Sequence, residues 1–143
     1  MINLEDVRRA SVAFYDALNS MANGDDTAMQ DAWIKGGGAT AQHPIGGRDM
    51  GSDSVLASFS KVAEIAGGGD IRLLDQMINA GSDMAVETGV EVGKLIIAGN
   101  EAKIQHRVTN VYQKQDGTWK LAHHHTDLSP SMLEILQRLT EAA

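Results

Sequence analysis

The sequence predicts an α+β fold in which helices come first and a sheet of long antiparallel strands follows. Before residue 70, apolar residues recur every three or four positions, the spacing of amphipathic helices. After residue 70 they alternate with polar or small residues, which is the period of a strand. Tight Gly or Asn turns separate the alternating runs and indicate an antiparallel meander.

Two helices are predicted at the N-terminus. Residues 4–22 carry apolar side chains at helical spacing, with Asn3 as the expected N-cap. Residues 27–33 form a shorter second helix, and the glycines at 36–38 mark its end. The first helix should therefore present one apolar face to the core.

A short strand is predicted at 39–43, where Pro44 ends regular pairing. A glycine-rich loop leads into a third helix that carries Val55 and Phe59, and the glycines at 67–69 are interpreted as its stop. Four strands near 71–80, 84–97, 101–115 and 118–127 follow, and a short final helix begins with Pro at its first position, Pro130.

The last two strands should form a hairpin around an Asp116-Gly117 turn, since Gly relieves the positive φ that a two-residue turn requires. A regular ladder from this turn defines two faces, because facing residues point the same way. One face carries Arg107, Thr109, Val111, Ala122, His124 and Thr126. The other, more apolar face carries Val108, Asn110, Tyr112, Trp119, Leu121, His123 and His125.

Length and composition favour one domain, residues 1–143, large enough for a sizeable core. The net charge is -7, with 12 basic against 19 acidic residues, so a nucleic acid partner is not expected. No run approaches the roughly 20 apolar residues of a membrane span, and no membrane partner is expected. The absence of cysteine and of a signal-like N-terminus favours a cytoplasmic protein.

The order of elements, with His43-Pro44 closing the first strand, resembles the nuclear transport factor 2-like superfamily over nearly the whole chain. The segments 107–112 and 116–125 look like the signature of SnoaL-like polyketide cyclases and of the calcium/calmodulin-dependent kinase II association domain. The resemblance implies a cystatin-like cone, with N-terminal helices on a curved antiparallel sheet. It also implies a homodimer that packs sheet against sheet.

Segments 14–20 and 41–46 are similar to ketosteroid isomerase. Tyr15 stands at the position of the oxyanion-binding Tyr of that family, and His43 stands at the position of its Asp base. Thr109 replaces the second acidic donor and cannot act as a protonated carboxylic acid. The resemblance therefore implies proton transfer next to a carbonyl, with His43 as base and Tyr15 as donor to the oxyanion.

The resemblance implies a cone-shaped pocket, and these residues make a small organic, carbonyl-containing or anionic molecule the expected ligand. An isomerase, cyclase or dehydratase of this kind would need no cofactor. The expected lining residues are Tyr15, Trp33, His43, Arg107, Thr109, His124 and Thr126.

Three alternatives remain open from the sequence. Arg107 needs a carboxylate or phosphate, which either an anionic ligand or the internal residues Glu87 and Glu91 could supply. The protein could be a homo-oligomerisation module assembled through the apolar face, whose members include Tyr112, Trp119 and Leu121. A metal site at His106, His123 and His125 is disfavoured, because zinc wants close ligands and no cysteine is present.

Overall fold

The structure, a computed structural model, describes residues 4–142, and three helices precede the long strands while a fourth follows them, as predicted. The helices are α1 (Leu4–Ala22), α2 (Thr27–Ala32), α3 (Ser52–Ile65) and α4 (Pro130–Ala142). The strands are β1 (Thr40–Gln42), β2 (Arg48–Met50), β3 (Ala66–Ala80), β4 (Met84–Ile97), β5 (Asn100–Gln115) and β6 (Thr118–Thr126). The α+β class is confirmed, and the expected cap Asn3 lies outside the described residues.

The six strands form one curved, unclosed sheet in the order β2-β1-β6-β5-β4-β3. The meander predicted for β3 to β6 is confirmed. β1 pairs antiparallel with β2 but parallel with β6, so the sheet is not antiparallel throughout. Sequence reasoning missed β2 because Arg48-Asp49-Met50 lacks the β-branched and aromatic residues typical of strands.

The glycine cluster at 67–69 lies inside β3, so its interpretation as a helix stop was wrong. Gly69 has φ of 140°, and a Cβ there would lie 2.3 Å from the carbonyl oxygen of Lys94. On the neighbouring strand Gly93 has φ of 142°, and its Cβ would lie 1.9 Å from the carbonyl oxygen of Asp70. The backbones of β3 and β4 approach so closely here that neither position admits a side chain.

The predicted turn between β5 and β6 is present. Asp116 and Gly117 both have positive φ, 53° and 79°, and Gln115 pairs with Thr118. A β-bulge then interrupts the ladder: Tyr112 pairs with Leu121, but Val111 pairs with His123. The extra residue in β6 is Ala122, which no simple count from the turn could reveal.

The bulge makes the predicted register wrong beyond Leu121, since a slip of one residue exchanges the two faces. Asn110 now pairs with His124, and Val108 pairs with Thr126. His124 and Thr126 consequently lie in the interior, while His125 points outward.

The core lies between the helices and the inner face of the sheet, with Phe14 of α1 at its centre. Ring centroids of Tyr15, Trp33 and Phe59 lie 5.0, 6.3 and 6.4 Å from that of Phe14, all in edge-to-face geometry. Tyr112, Trp119 and Leu121 are buried in the same core. Burial in the core contradicts the alternative in which these three residues form an oligomer surface.

β4 reverses the usual distribution of polar and apolar residues. Glu87 and Glu91 point into the protein and are 0% and 3% exposed, whereas Val86 and Val90 of the same strand point outward. Two carboxylates inside a domain need hydrogen-bond partners, so the interior must supply them.

Among residues 4–142, none of the helices has the length and apolar character of a membrane-spanning segment.

Candidate functional site

A cavity of about 400 Å³ lies between the sheet and helices α1, α3 and α4, within the usual size range of small-molecule sites. Most of its wall is apolar. The aliphatic lining comes from every layer of the fold: Leu18, Met21, Ile45, Val62, Ile65, Ile71, Leu95, Ile97, Ile104, Met132 and Leu136. The ionisable lining is concentrated at His43, Asp49, Lys61, Glu91, His106 and His124.

His43 and Asp49 form one polar group of the cavity. Parallel pairing of β1 with β6 sets Ala41 beside His124, and His43 follows two residues later at the end of β1. The β1–β2 hairpin then returns the chain so that His43 Nε2 lies 2.7 Å from Asp49 Oδ2. A carboxylate only accepts, so Nε2 carries the proton and Nδ1 is the other reactive atom of the ring.

Two serines of α3 complete the environment of Asp49. Ser54 Oγ donates to Asp49 Oδ1 at 3.2 Å, and Ser58 Oγ donates to Asp49 Oδ2. Partial burial raises the pKa of Asp49, but the hydrogen bonds from Ser58 and His43 outweigh it and hold the pKa below its ordinary value. Asp49 is thus a fixed anion that orients the His43 ring.

Glu91 and His106 form a second polar group on the sheet. They are direct cross-strand partners, and His106 Nε2 lies 2.7 Å from Glu91 Oε1. Tyr15 donates its hydroxyl proton to Glu91 Oε2 at 2.8 Å. Burial favours a raised pKa for Glu91, but the His106 bond, the histidine charges and the Tyr15 bond lower it overall. Glu91 is therefore an ionised carboxylate enclosed by protein.

His124 is the third polar group. Its ring is 2% exposed, and its Nδ1 lies 2.6 Å from Asn110 Oδ1. Burial lowers the pKa of His124 to about 4, although the charge of Glu91 opposes the shift. Near neutral pH His124 is an uncharged imidazole.

Of the seven residues predicted to line the pocket, His43 and His124 do so. Tyr15 is buried behind the wall, with its hydroxyl proton committed to Glu91. Burial and the charge of Glu91 raise the Tyr15 pKa far above its ordinary value. Trp33 packs in the core, and Thr126 is enclosed in the interior without lining the cavity.

Arg107 and Thr109 lie on the outer face of β5, so the prediction that they line the pocket was wrong. The Arg107 side chain is 84% exposed and makes a two-pronged ion pair with Asp127, at 2.7 and 3.0 Å. The hydrogen bonds from the Arg107 side chain and backbone lower the pKa of Asp127 to about 2. Neither Glu87 nor Glu91 is the partner of Arg107. Because Arg107 lies outside the cavity, it cannot bind an anionic ligand there.

The three consecutive histidines do not converge with His106. His106 points into the cavity, whereas His123 and His125 lie on the outer face with ring centroids 6.1 Å apart. Thr40 and Gln42 of β1 hydrogen bond to these two outer rings. Within residues 4–142, no group of three or more His, Asp and Glu side chains is arranged to hold a metal ion.

Sequence reasoning did not assign Asp49, Ser58, Glu91 and His106 to the cavity. Asp49 lies on the strand that was missed, six residues after His43. For Glu91 a signal existed: charged residues recur at 87 and 91 inside an alternating run, and the register of a regular β4–β5 ladder brings 91 opposite 106. A buried His–Glu pair on one sheet face was therefore foreseeable.

The arrangement of N-terminal helices on a curved six-stranded sheet is shared with solved structures of the NTF2-like superfamily. The SnoaL-like domain family matches residues 7–130, and the chain belongs to that family. No curated protein matches the sequence.

Three solved structures illustrate the shared fold. A candidate dehydratase of the NTF2-like family from Streptomyces avermitilis is 24% identical, with TM-score 0.78 over 87% of this chain and 94% of that chain. A candidate scytalone dehydratase from Novosphingobium aromaticivorans is 11% identical, with TM-score 0.71 over 86% and 81%. A candidate calcium/calmodulin-dependent protein kinase type II association domain from Thiobacillus denitrificans is 21% identical, with TM-score 0.65 over 85% and 93%.

Proposed function

We propose that the cavity binds a small, mostly apolar organic molecule and catalyses proton transfer next to its carbonyl group, without a cofactor. The supporting observation is the 2.7 Å contact that joins His43 Nε2 to the Asp49 carboxylate at an otherwise apolar cavity. A histidine oriented by a carboxylate is a suitable general base, because its second nitrogen can take and return a proton near neutral pH.

In this proposal His43 Nδ1 removes a proton from the carbon beside the carbonyl. Returning that proton to another carbon completes an isomerisation, whereas giving it to a departing hydroxide yields water and completes a dehydration. Two of the solved structures with this fold are candidate dehydratases, and this similarity supports the second outcome. Tyr15 positions Glu91 and does not reach the reacting atoms.

The ligand in this proposal carries no negative charge. Asp49 and Glu91 are both on the wall, and the pKa of each lies below its ordinary value. Lys61 is the single Lys or Arg that lines the cavity in the described part of the chain, and it is exposed. A carboxylate or phosphate inside would face two fixed anions and lose its hydration.

The test combines binding with isotope exchange. Uncharged cyclic ketones are incubated with the protein in heavy water, and proton NMR follows deuterium entry beside the carbonyl. His43→Gln and Asp49→Asn should lower the exchange rate by about 10²–10⁴-fold and about tenfold or more, respectively. The control Asp53→Asn changes an exposed carboxylate in the first turn of α3, four residues after Asp49, and should leave the rate unchanged.

Exchange that is equally fast in His43→Gln would refute the role of His43. A thermal shift assay with the same ketones separates binding from catalysis, since a ligand at 100 times its dissociation constant adds about 2.7 kcal/mol of stability. If the unmodified protein binds these ketones but does not exchange their protons, the ligand-binding part of the proposal is supported and the catalytic part is refuted.

We also propose that the outer sheet face forms a homodimer interface. Leu74, Met84 and Val86 expose 46%, 51% and 37% of their surface there, beside the half-buried Val90 and Val92. Such a group of neighbouring apolar side chains is typical of an interaction surface. Light scattering should give a dimer for the unmodified protein and a monomer for Val90→Lys; a monomeric unmodified protein would refute this assignment.

The cytoplasmic location stays a prediction.

A further inference from the structure

We infer that the sheet wall of the cavity, defined as Glu91, His106 and His124, offers only hydrogen-bond acceptors to a ligand, and that the ligand therefore presents a hydroxyl group to His124 Nε2. The inference rests on the proposed ligand-binding function and names the chemical class of the molecule more closely. It follows from the directions of the buried hydrogen bonds, which can be traced atom by atom.

The starting point is Glu87, which lies behind the wall and is completely buried. Its oxygens accept hydrogen bonds from Tyr112 Oη at 2.7 Å, Gln76 Nε2 at 2.7 Å and Asn110 Nδ2 at 2.9 Å. The contact with Glu87 settles the orientation of the Asn110 amide, because its NH₂ group must point at the carboxylate.

Once the Asn110 NH₂ group points at Glu87, the Asn110 oxygen points at His124. Asn110 Oδ1 lies 2.6 Å from His124 Nδ1 and can only accept, so Nδ1 carries the proton. His124 is uncharged because burial lowers its pKa to about 4. Its Nε2 thus bears a lone pair, and no residue between 4 and 142 donates a hydrogen bond to it.

The other two members of the wall give no donor to a ligand. Glu91 is a carboxylate that receives the Tyr15 hydroxyl proton and the His106 Nε2 proton. His106 Nδ1 is buried, and no residue between 4 and 142 forms a hydrogen bond with it. Tyr15 cannot turn its proton to the ligand without breaking its contact with Glu91, because Asn110 Nδ2 already donates to the same oxygen.

An acceptor-only wall discriminates between ligands of similar shape. A hydroxyl group satisfies His124 Nε2, whereas a carbonyl or ether oxygen at that point places two lone pairs face to face. Sites built to bond a ligand hydroxyl reject analogues that lack it, since their own buried polar atoms are then left unpaired. The carbon beside the carbonyl of the proposed substrate consequently faces His43 Nδ1, and a hydroxyl faces the sheet.

Two measurements test the inference. The first is the ¹⁵N NMR spectrum of the histidine rings near neutral pH, which reports which nitrogen of His124 is protonated. A bare Nε2 with a protonated Nδ1 supports the acceptor wall. A protonated Nε2, as the other tautomer or as an imidazolium, overturns it whether or not any ligand is known.

The second measurement is calorimetric affinity for two matched pairs, menthol with menthone and borneol with camphor. The alcohol should bind at least about tenfold more tightly than its ketone, and His124→Phe should abolish this preference. His125→Phe makes the same change on the outer face and should preserve it.

Equal or stronger binding of the ketones would overturn the inference while leaving the ligand-binding function intact. Binding of neither member of either pair would count against both.

Discussion

The buried carboxylate Glu91 allows a stability prediction that depends on the orientation of its partners. Glu91→Leu removes the acceptor for two enclosed donors, the Tyr15 hydroxyl and His106 Nε2, at 2.8 and 2.7 Å. Removing one partner of a buried pair costs about 3–5 kcal/mol. For a domain of this length that corresponds to a fall in melting temperature of roughly 6–20 °C. Glu91→Gln keeps one acceptor and should lose about 1–3 kcal/mol.

The sign of the pH dependence follows from the lowered pKa of Glu91. Ionised Glu91 contributes stability that is fully present above its pKa in the unfolded chain and is lost as pH falls through the lower folded value. The deficit of Glu91→Leu should therefore be largest near neutral pH and shrink in acid. Urea denaturation followed by tryptophan fluorescence, at about pH 7 and about pH 3, measures the deficit and its change with pH.

A double variant isolates the pair. Glu91→Leu with His106→Leu removes both members, so it should be less destabilised than the sum of the two single variants, by about 0.5–3 kcal/mol. Glu101→Leu changes an exposed carboxylate of β5 and should stay within about 0.5 kcal/mol of the unmodified protein. A loss below about 1 kcal/mol for Glu91→Leu, or a deficit that does not change with pH, would refute the reasoning.

Three further predictions concern other parts of the structure. Gly93→Ala should destabilise the protein by more than about 2 kcal/mol in the same denaturation assay, because its Cβ would lie 1.9 Å from a carbonyl oxygen. Gly99→Ala should cost only about 1–2 kcal/mol, because Gly99 has φ of 82° but open space around it. Arg107→Ala should leave ligand affinity in calorimetry unchanged, since Arg107 faces solvent; a clear loss would return it to the site. Tyr112→Phe should cost about 0.5–1.5 kcal/mol, less than Glu91→Leu, because Glu87 keeps its bonds from Asn110 and Gln76.

The positions of the helices and of most strands were predictable because they depend on local periodicity, whereas β2 and the start of β3 were not. The α1 bounds, the Asp116-Gly117 turn and the start of α4 at Pro130 all follow from spacing, turn chemistry and capping. The face assignment of β6 was not predictable, because a single extra residue at Ala122 inverts it and leaves no signature in composition. That inversion placed His124 on the inner face beside Asn110, whereas Arg107 and Thr109, predicted to share its face, lie on the outer face.

The site itself was only partly foreseeable for a related reason. His43 was identified through its place before Pro44, but its partner Asp49 depends on a strand whose pairing comes from β1 and not from its own sequence. Long-range pairing of this kind is invisible to local patterns. Glu87 and Glu91 could be recognised in the sequence as charged residues within an alternating run. Their effect on the proton of His124 could not, because it depends on the orientation of the Asn110 amide between Glu87 and His124.

The polarity of β4 supports the proposed ligand-binding function. Stability alone would favour Val86 and Val90 inside and Glu87 and Glu91 outside, since buried carboxylates gain little over well-packed apolar residues. The chain does the reverse and surrounds both carboxylates with donors from α1, β3 and β5. This arrangement fixes the proton positions of Tyr15, Asn110 and His124 before any ligand enters. A preorganised wall of this kind reduces the reorganisation needed when a ligand binds, which a structural core would not require.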